Sequence, residues 1–292
     1  MSKKNAFCLI TVKPNKIWVE FLDTMSNDYD VFIVLDDSSN IDNIKNAYKN
    51  IVFIQINDDE CKSAGYWDSS FMVKKNPSGW DKALYYFCKH NTNYDQYWFC
   101  EDDVFFYNMN TIKNIDFFHK NGDLLCNEIE INNEGYKSNW HWQQAVPYFS
   151  LPWAKGMVCC CRLSRRLLDR IVEFVQKHNK LTFIECLFPT LALDYTIETP
   201  NEFSTIHWRN DWSNFQLNPT LLYHPFKNME DHTLIRKTGK RSEASQLLSS
   251  KSSSIDLGFS MPLRGSEKPS ENFGKLQGLS TLKKWFSFGF TK

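Results

Sequence analysis

Short apolar runs alternate with amphipathic stretches along the N-terminal part of the chain, and that rhythm predicts strands separated by helices. Residues 6–12 (AFCLITV) read as a first buried strand, stopped by Lys13–Pro14. Residues 29–35 (YDVFIVL) and 51–56 (IVFIQI) read as a second and a third. Between them, residues 15–25, with Ile17, Val19, Phe21 and Leu22, and residues 41–48 have helical character. Strands and helices alternating at this spacing imply parallel βαβ units in a doubly wound sheet. Such sheets bind ligands at the carboxyl ends of their strands, where Thr11, Val12, Asp36 and Asp37 fall.

Residues 58–70 are polar and turn-rich. Ser78–Gly79 starts a helix that carries Trp80, Lys82, Ala83, Leu84, Phe87 and Cys88, and 91–95 is a loop leading into residues 97–106 (YWFCEDDVFF). This stretch reads as a buried strand with three successive carboxylates, Glu101, Asp102 and Asp103, at its carboxyl end. Uncompensated charge in such a place costs several kcal/mol, roughly, so a basic partner or a divalent cation is expected there. Further on, a helix over 109–120, strands over 123–126 and 156–161, and a helix over 163–177 are expected, with Arg162, Arg165, Arg166 and Arg170 as a solvated face. The segment 128–144 is polar but carries Trp140, His141 and Trp142, and 204–212 and 221–227 are short stretches rich in His, Trp and basic residues. From about residue 238 Ser, Lys and Gly dominate, which reads as a disordered tail. Its end, 282–290 (LKKWFSFGF), is basic and aromatic and reads as part of that disordered end, with contact to a membrane surface or another protein as the alternative.

Composition narrows the partners. Lys+Arg and Asp+Glu balance at 34 each in 292 residues, so no global field draws the chain to nucleic acid, and no basic aromatic stripe does so locally. The 9 cysteines lack metal-ligand spacing and read as reduced, buried thiols, which with no signal peptide and no membrane-spanning run predicts a cytoplasmic protein. Aromatic residues make up 15% of the chain, and those lying in polar segments suit the faces of sugar rings.

The acidic strand end is where chemistry is expected. Alternation along a strand turns Glu101 and Asp103 one way and Asp102 the other, so only some of the three can meet one ion. Glu185 lies in an apolar stretch, 183–191, that would raise its pKa and suit it to general-base work; Asp194 and Asp211 are alternatives. Residues 97–104 (YWFCEDDV), following an alternating nucleotide-binding half, resemble the acidic metal motif of GT-A fold glycosyltransferases, in particular the Glu-Asp-Asp version of some N-acetylglucosaminyltransferases. Residues 79–84 (GWDKAL) sit where such enzymes carry the helix that precedes the metal strand, and the chain is similar to the small soluble glycosyltransferases of large algal DNA viruses.

The resemblance covers about residues 6–227 and implies a Rossmann-like, mixed or mostly parallel α/β sheet flanked by helices. It implies one catalytic domain over 1–237, with a nucleotide-sugar half (1–107) and an acceptor half (108–237), followed by the tail 238–292. It implies Mn2+ or Mg2+ at Asp103 and His224, and a nucleotide-sugar donor, UDP-linked, held by Thr11, Val12, Asp36, Asp37, Lys82, Glu101, Asp102 and Lys227. It further implies a glycan acceptor against Trp140, His141 and Trp142, and an inverting transfer with Glu185 as base, in the host cytoplasm if the chain is viral. Two other readings remain: a nucleotidyltransferase, disfavoured because Thr11–Val12–Lys13–Pro14 has no glycine, and a non-catalytic carbohydrate-binding protein, which leaves the acidic strand end without a purpose.

Overall fold

The structure, a computed structural model, describes residues 5–212 and 216–239. Its centre is a seven-stranded sheet built from β1 (Asn5–Thr11), β2 (Tyr29–Leu35), β3 (Ile51–Gln55), β4 (Gln96–Glu101), β5 (Leu124–Asn132), β6 (Trp153–Ser164) and β7 (Ile197–Glu198), in the order β3-β2-β1-β4-β6-β5-β7. The β3-β2-β1-β4 half is parallel, β6 runs antiparallel to both its neighbours, and β7 is parallel to β5. The helices are α1 (Lys16–Asp23), α2 (Asp42–Ala47), α3 (Asp58–Ser63), α4 (Gly79–Tyr85), α5 (Met109–Phe118), α6 (Arg165–His178), α7 (Ile184–Leu191) and α8 (Met229–Thr238). This is the Rossmann-like, mixed and mostly parallel sheet flanked by helices that was expected.

Strand periodicity explains why both faces are covered. In β1, Ala6, Cys8 and Ile10 belong to one core with Leu84, Phe87, Leu167 and Leu187, whereas Phe7 and Leu9 belong to the other with Trp18, Leu22, Ile112 and Ile115. Large side chains of this kind contribute about 1.5–3 kcal/mol each when fully buried, and β1 buries them on two sides. A sheet held so firmly in its middle can keep charged groups at its end.

Several local expectations change. The polar stretch after β3 contains α3, started by Asn57, whose side chain accepts from the backbone of Asp59 and Glu60. The strand expected over 97–106 ends at Glu101, and the next residues turn. The strands expected over 123–126 and 156–161 are longer, because β5 and β6 pair far beyond those spans through irregular register. The arginines do not form a solvated face as a group: Arg162 lies in β6, almost wholly buried, and donates to Asp116 Oδ1 at 2.6 Å, while Arg166 grips the buried Asp123. Arg165 donates to the Phe87 carbonyl at 2.9 Å as well as to the exposed Asp169 at 3.0 Å, and Arg170 keeps to an exposed partner, Glu173. The tail beyond Gly239, expected to be disordered and with membrane contact as an alternative for its end, lies outside the described residues.

Asp116 is a polar hub at the end of the sheet remote from the acidic turn. Its two oxygens accept from Arg162, Trp98 (3.0 Å), Asn5 (3.0 Å) and Tyr29 (2.7 Å). Arg162→Ala, which leaves this carboxylate its neutral donors but no paired cation, is expected to lower stability by about 3–5 kcal/mol in urea unfolding; a loss below about 1 kcal/mol would show the hub to be dispensable.

Candidate active site

Register places the site before any side chain is considered. Ile10 pairs with Glu101 and Thr11 with Leu35, so the ends of β1, β2 and β4 stop at one level. The backbone carries this on by two residues: Asp36 N–H donates to the Thr11 carbonyl at 2.9 Å and Asp37 N–H to the Val12 carbonyl at 3.1 Å. Thr11, Asp36 and the acidic turn therefore rim one cavity of about 1080 Å3, which Val12, Lys75, Gly79, Trp80, Cys159, Glu185, His224 and Lys227 also line. Gly79 lets α4 come this close, since a Cβ there would meet Ile10 Cγ2 at 2.8 Å.

Each carboxylate of the turn has its own partner. Glu101 Oε1 accepts from Trp80 Nε1 at 2.6 Å, and Asp102 Oδ2 accepts from Thr11 Oγ1 at 2.5 Å. Asp103 Oδ1 and Glu101 Oε2 both face His224 Nε2, at 3.2 and 4.0 Å. Burial, followed by the Asp103 charge, pushes the Glu101 carboxyl well up from the ordinary range. Asp102 is raised too, again by burial first, against the stabilising Thr11 hydroxyl.

His224 reaches the turn on a strap that is sewn to it. Phe105 and Tyr223 exchange two backbone hydrogen bonds of 2.8 Å, and Phe226 N–H donates to the Asp103 carbonyl at 2.6 Å. The His224 ring lies 2.6 Å through Nδ1 from the His207 carbonyl, so Nδ1 is the donor and Nε2 is aimed at the acids. Burial alone would lower the His224 pKa, but Asp103 and Glu101 outweigh it and the net direction is up. Behind the turn, Trp18 donates to the Asp102 carbonyl at 2.7 Å, and Arg236 of α8 lies 3.6 Å above the Phe21 ring while donating to the Phe106 carbonyl at 3.1 Å.

The donor set fits a divalent cation. Asp103 Oδ1 is buried without a hydrogen-bond partner among the described residues, yet sits beside an imidazole nitrogen fixed toward it. Glu101, Cys159 and His224 also bring one ligand atom each to within 4.8 Å of one another.

A second cavity of about 450 Å3 adjoins the first. Glu185, Met72, Trp208 and Arg209 line both, and Trp140, His141, Glu128 and Lys155 line the second alone. Glu185, in the first turn of α7, has its pKa pushed up to about 8 by burial, then by the charges of Glu101 and Glu128. Asp211 lines the large cavity and Asp194 lines neither.

Three sequence-derived residues are placed elsewhere. Trp142 is fully buried against Trp140 and Trp153 and faces neither cavity, so it supports the wall from behind; the tripeptide makes a tight turn, and its third ring enters the core. Asp37 folds back to accept from Ser39 Oγ at 2.8 Å, an Asx-type turn that takes it off the cavity. Lys82 is buried beneath the site, 3.2 Å from Asp36 Oδ1 and 2.6 Å from Asp58, and orients Asp36 instead of reaching a ligand. Lys75, Trp80, Cys159 and Arg209 were not singled out by the sequence as site residues. Trp80 had a usable signal, an aromatic N–H one residue past a helix start, whereas the other three depend on long-range contact.

No protein-family model matches the chain, and no curated protein is a significant match. Among solved structures, the chain resembles 4-diphosphocytidyl-2C-methyl-D-erythritol synthase from Anaerococcus prevotii at 10% identity and a TM-score of 0.40, over 68% of this chain and 86% of that one. It also resembles core-mannan synthase A from Aspergillus fumigatus, in its Mn/GDP form, at 9% identity and a TM-score of 0.39, over 70% and 73% of the two chains. Likeness at this level does not extend to reaction or ligand. No helix among the described residues is long and apolar enough to cross a membrane.

The raised carboxyls set a pH signature. Between the unfolded value of about 4.3 and the folded value of about 8, Glu185 holds more proton in the folded chain, so its contribution to stability falls as pH rises through that window. Glu101 and His224, both raised, act in the same sense. A dication held by Asp103 and His224 would offset this loss. Mn2+ is therefore expected to raise the melting temperature more at about pH 8 than at about pH 5.5, by several degrees, roughly, at the higher pH. Asp103→Asn should remove most of the shift; an equal shift in the variant would contradict the cation assignment.

Proposed function

We propose that the chain is a metal-dependent glycosyltransferase that moves a sugar from a nucleoside diphosphate donor, UDP-linked, to a hydroxyl of a glycan acceptor with inversion. The observation that carries this reading is the position of Glu185 on the wall shared by the two cavities, one ringed by the cation-binding set and the other faced by Trp140 and His141.

Asp36, fixed by Lys75 at 2.9 Å and by Lys82, receives the ribose and base beside Thr11 and Val12. Lys75 and Lys227 face the diphosphate as point charges. Asp103 and His224 hold the divalent cation, with Glu101 and Asp102 completing the acidic rim. Charge stabilisation of the departing diphosphate is the chemistry that such a cation supplies there. Trp140 and His141 present ring faces and edges to the acceptor, with Trp142 packed behind them.

Glu185 accepts the proton of the acceptor hydroxyl as that oxygen bonds to the anomeric carbon. The bond from this carbon to the phosphate oxygen breaks, and its electron pair leaves with the nucleoside diphosphate. A carboxyl pushed up by burial is a stronger base than an exposed one once it has lost its proton, which suits this step. The cost is that it must be ionised first: wild-type kcat/KM should rise with pH to a plateau through a group at or below about pH 8, since a neighbouring dication draws the value down.

Glu185→Gln is expected to keep donor binding, to lower kcat by on the order of 100-fold or more, and to flatten that rise. Loss of donor binding in the variant, or an unchanged rate, would remove Glu185 from the role of base.

A further inference from the structure

The cysteines of β6 differ in their place along the strand: Cys160 pairs with Cys100 and Cys161 with Phe99, and Cys159 follows at the level of the acidic turn. Cys160 and Cys161 are wholly buried, whereas Cys159 is the one cysteine of the nine that lines the large cavity. Its thiol has a weak partner, Met157 Sδ at 3.4 Å, and stands in the cluster with Glu101 and His224. Each of those two is oriented by a neighbour: Trp80 holds Glu101 by Oε1 and the His207 carbonyl holds His224 by Nδ1, leaving Oε2 and Nε2 toward the common space. Asp103 Oδ1, buried and without a hydrogen bond among the described residues, stands 3.2 Å from the same nitrogen.

We propose that Cys159 is a thiolate ligand of the site's cation, so that the centre is a mixed sulfur, nitrogen and oxygen site selecting thiophilic dications such as Zn2+ or Co2+ over Mg2+. The inference rests on the metal-dependent reading above and concerns which ion the centre takes. Two donors on one zinc-sized ion are at most about 4.4 Å apart, the sum of a sulfur and a nitrogen bond. In tetrahedral coordination they stand about 3.6 Å apart, so a spread of up to 4.8 Å closes with side-chain adjustments of about 1 Å. One thiolate, one imidazole and carboxylates from the acidic turn make a donor set of the kind that suits Zn2+ and Co2+, while an all-oxygen set suits Mg2+. Binding replaces the thiol proton by the ion and releases that proton to solvent, with no change in oxidation state.

Titration of the cation-free full-length protein with Co2+, followed by absorption spectroscopy, tests this directly. A thiolate-to-cobalt charge-transfer band in the near ultraviolet is expected in the wild type, and Cys159→Ser should lose that band while keeping weaker ligand-field absorption from the remaining donors. Zn2+ affinity of the variant, read by competition with a chromophoric chelator, should fall on the order of tenfold or more. Absence of the charge-transfer band in the wild type, whether Co2+ binds without it or fails to bind, overturns the proposal. So does an unchanged Zn2+ affinity in the variant. Failure of the glycosyltransferase reading is a separate result: no UDP-sugar turnover by the wild type with any dication, whatever the cobalt spectrum.

Discussion

Three carboxylates on consecutive residues at the end of a buried strand repel one another, and the later part of the chain is arranged around relieving that repulsion. Two like charges about 4 Å apart near a protein surface oppose each other by roughly 4 kcal/mol, a large share of the stability of a domain. Separate partners divide the problem: Trp80 takes Glu101, Thr11 takes Asp102, and His224 stands before Asp103. The strap is hydrogen-bonded to the acidic turn on both sides of His224, Tyr223 to Phe105 and Phe226 to Asp103, so the histidine cannot retreat without unmaking backbone pairing.

The same constraint links fold to chemistry. β1 stands between β2 and β4, so the loops that follow these strands meet above one sheet edge, and a ligand there touches residues far apart in the chain. β6, running antiparallel beside β4, brings Cys159 up to the acidic turn, and α7 packs against β6 to add Glu185. A charged, partly dehydrated pocket beside an aromatic one is thus a product of topology, and the buried Asp103 Oδ1, without a hydrogen bond among the described residues, fits a cation there.

Much of this was legible in local pattern and little of it in distant contact. The parallel half of the sheet could be read because apolar runs, helix periods and stops recur in order, and the acidic end of β4 because charge in an apolar context is conspicuous. Residues one turn away from an element end were harder. Asp37 and Asp36 look alike in sequence, yet Ser39 draws one into a turn while two lysines fix the other in the cavity. Trp142 and Trp140 are two positions apart, and the fold sends only one to a surface. Arg162 read as a helical surface residue because the strand before α6 runs three residues further than its apolar run; its burial follows from Asp116, which no local signal marks as its partner. Cys159 could not be told from Cys160 and Cys161 until register paired those two with Cys100 and Phe99 and left Cys159 beside the acidic turn.

The most direct test of the central claim, that the acidic turn and its strap need a dication to seat a nucleoside diphosphate, is calorimetric titration of the intact protein with UDP, with and without saturating Mn2+. Reciprocal coupling is expected: UDP binds at least on the order of tenfold more tightly when Mn2+ is present, and Mn2+ correspondingly more tightly when UDP is present. UDP binding of equal strength in both conditions, or none in either, would contradict it.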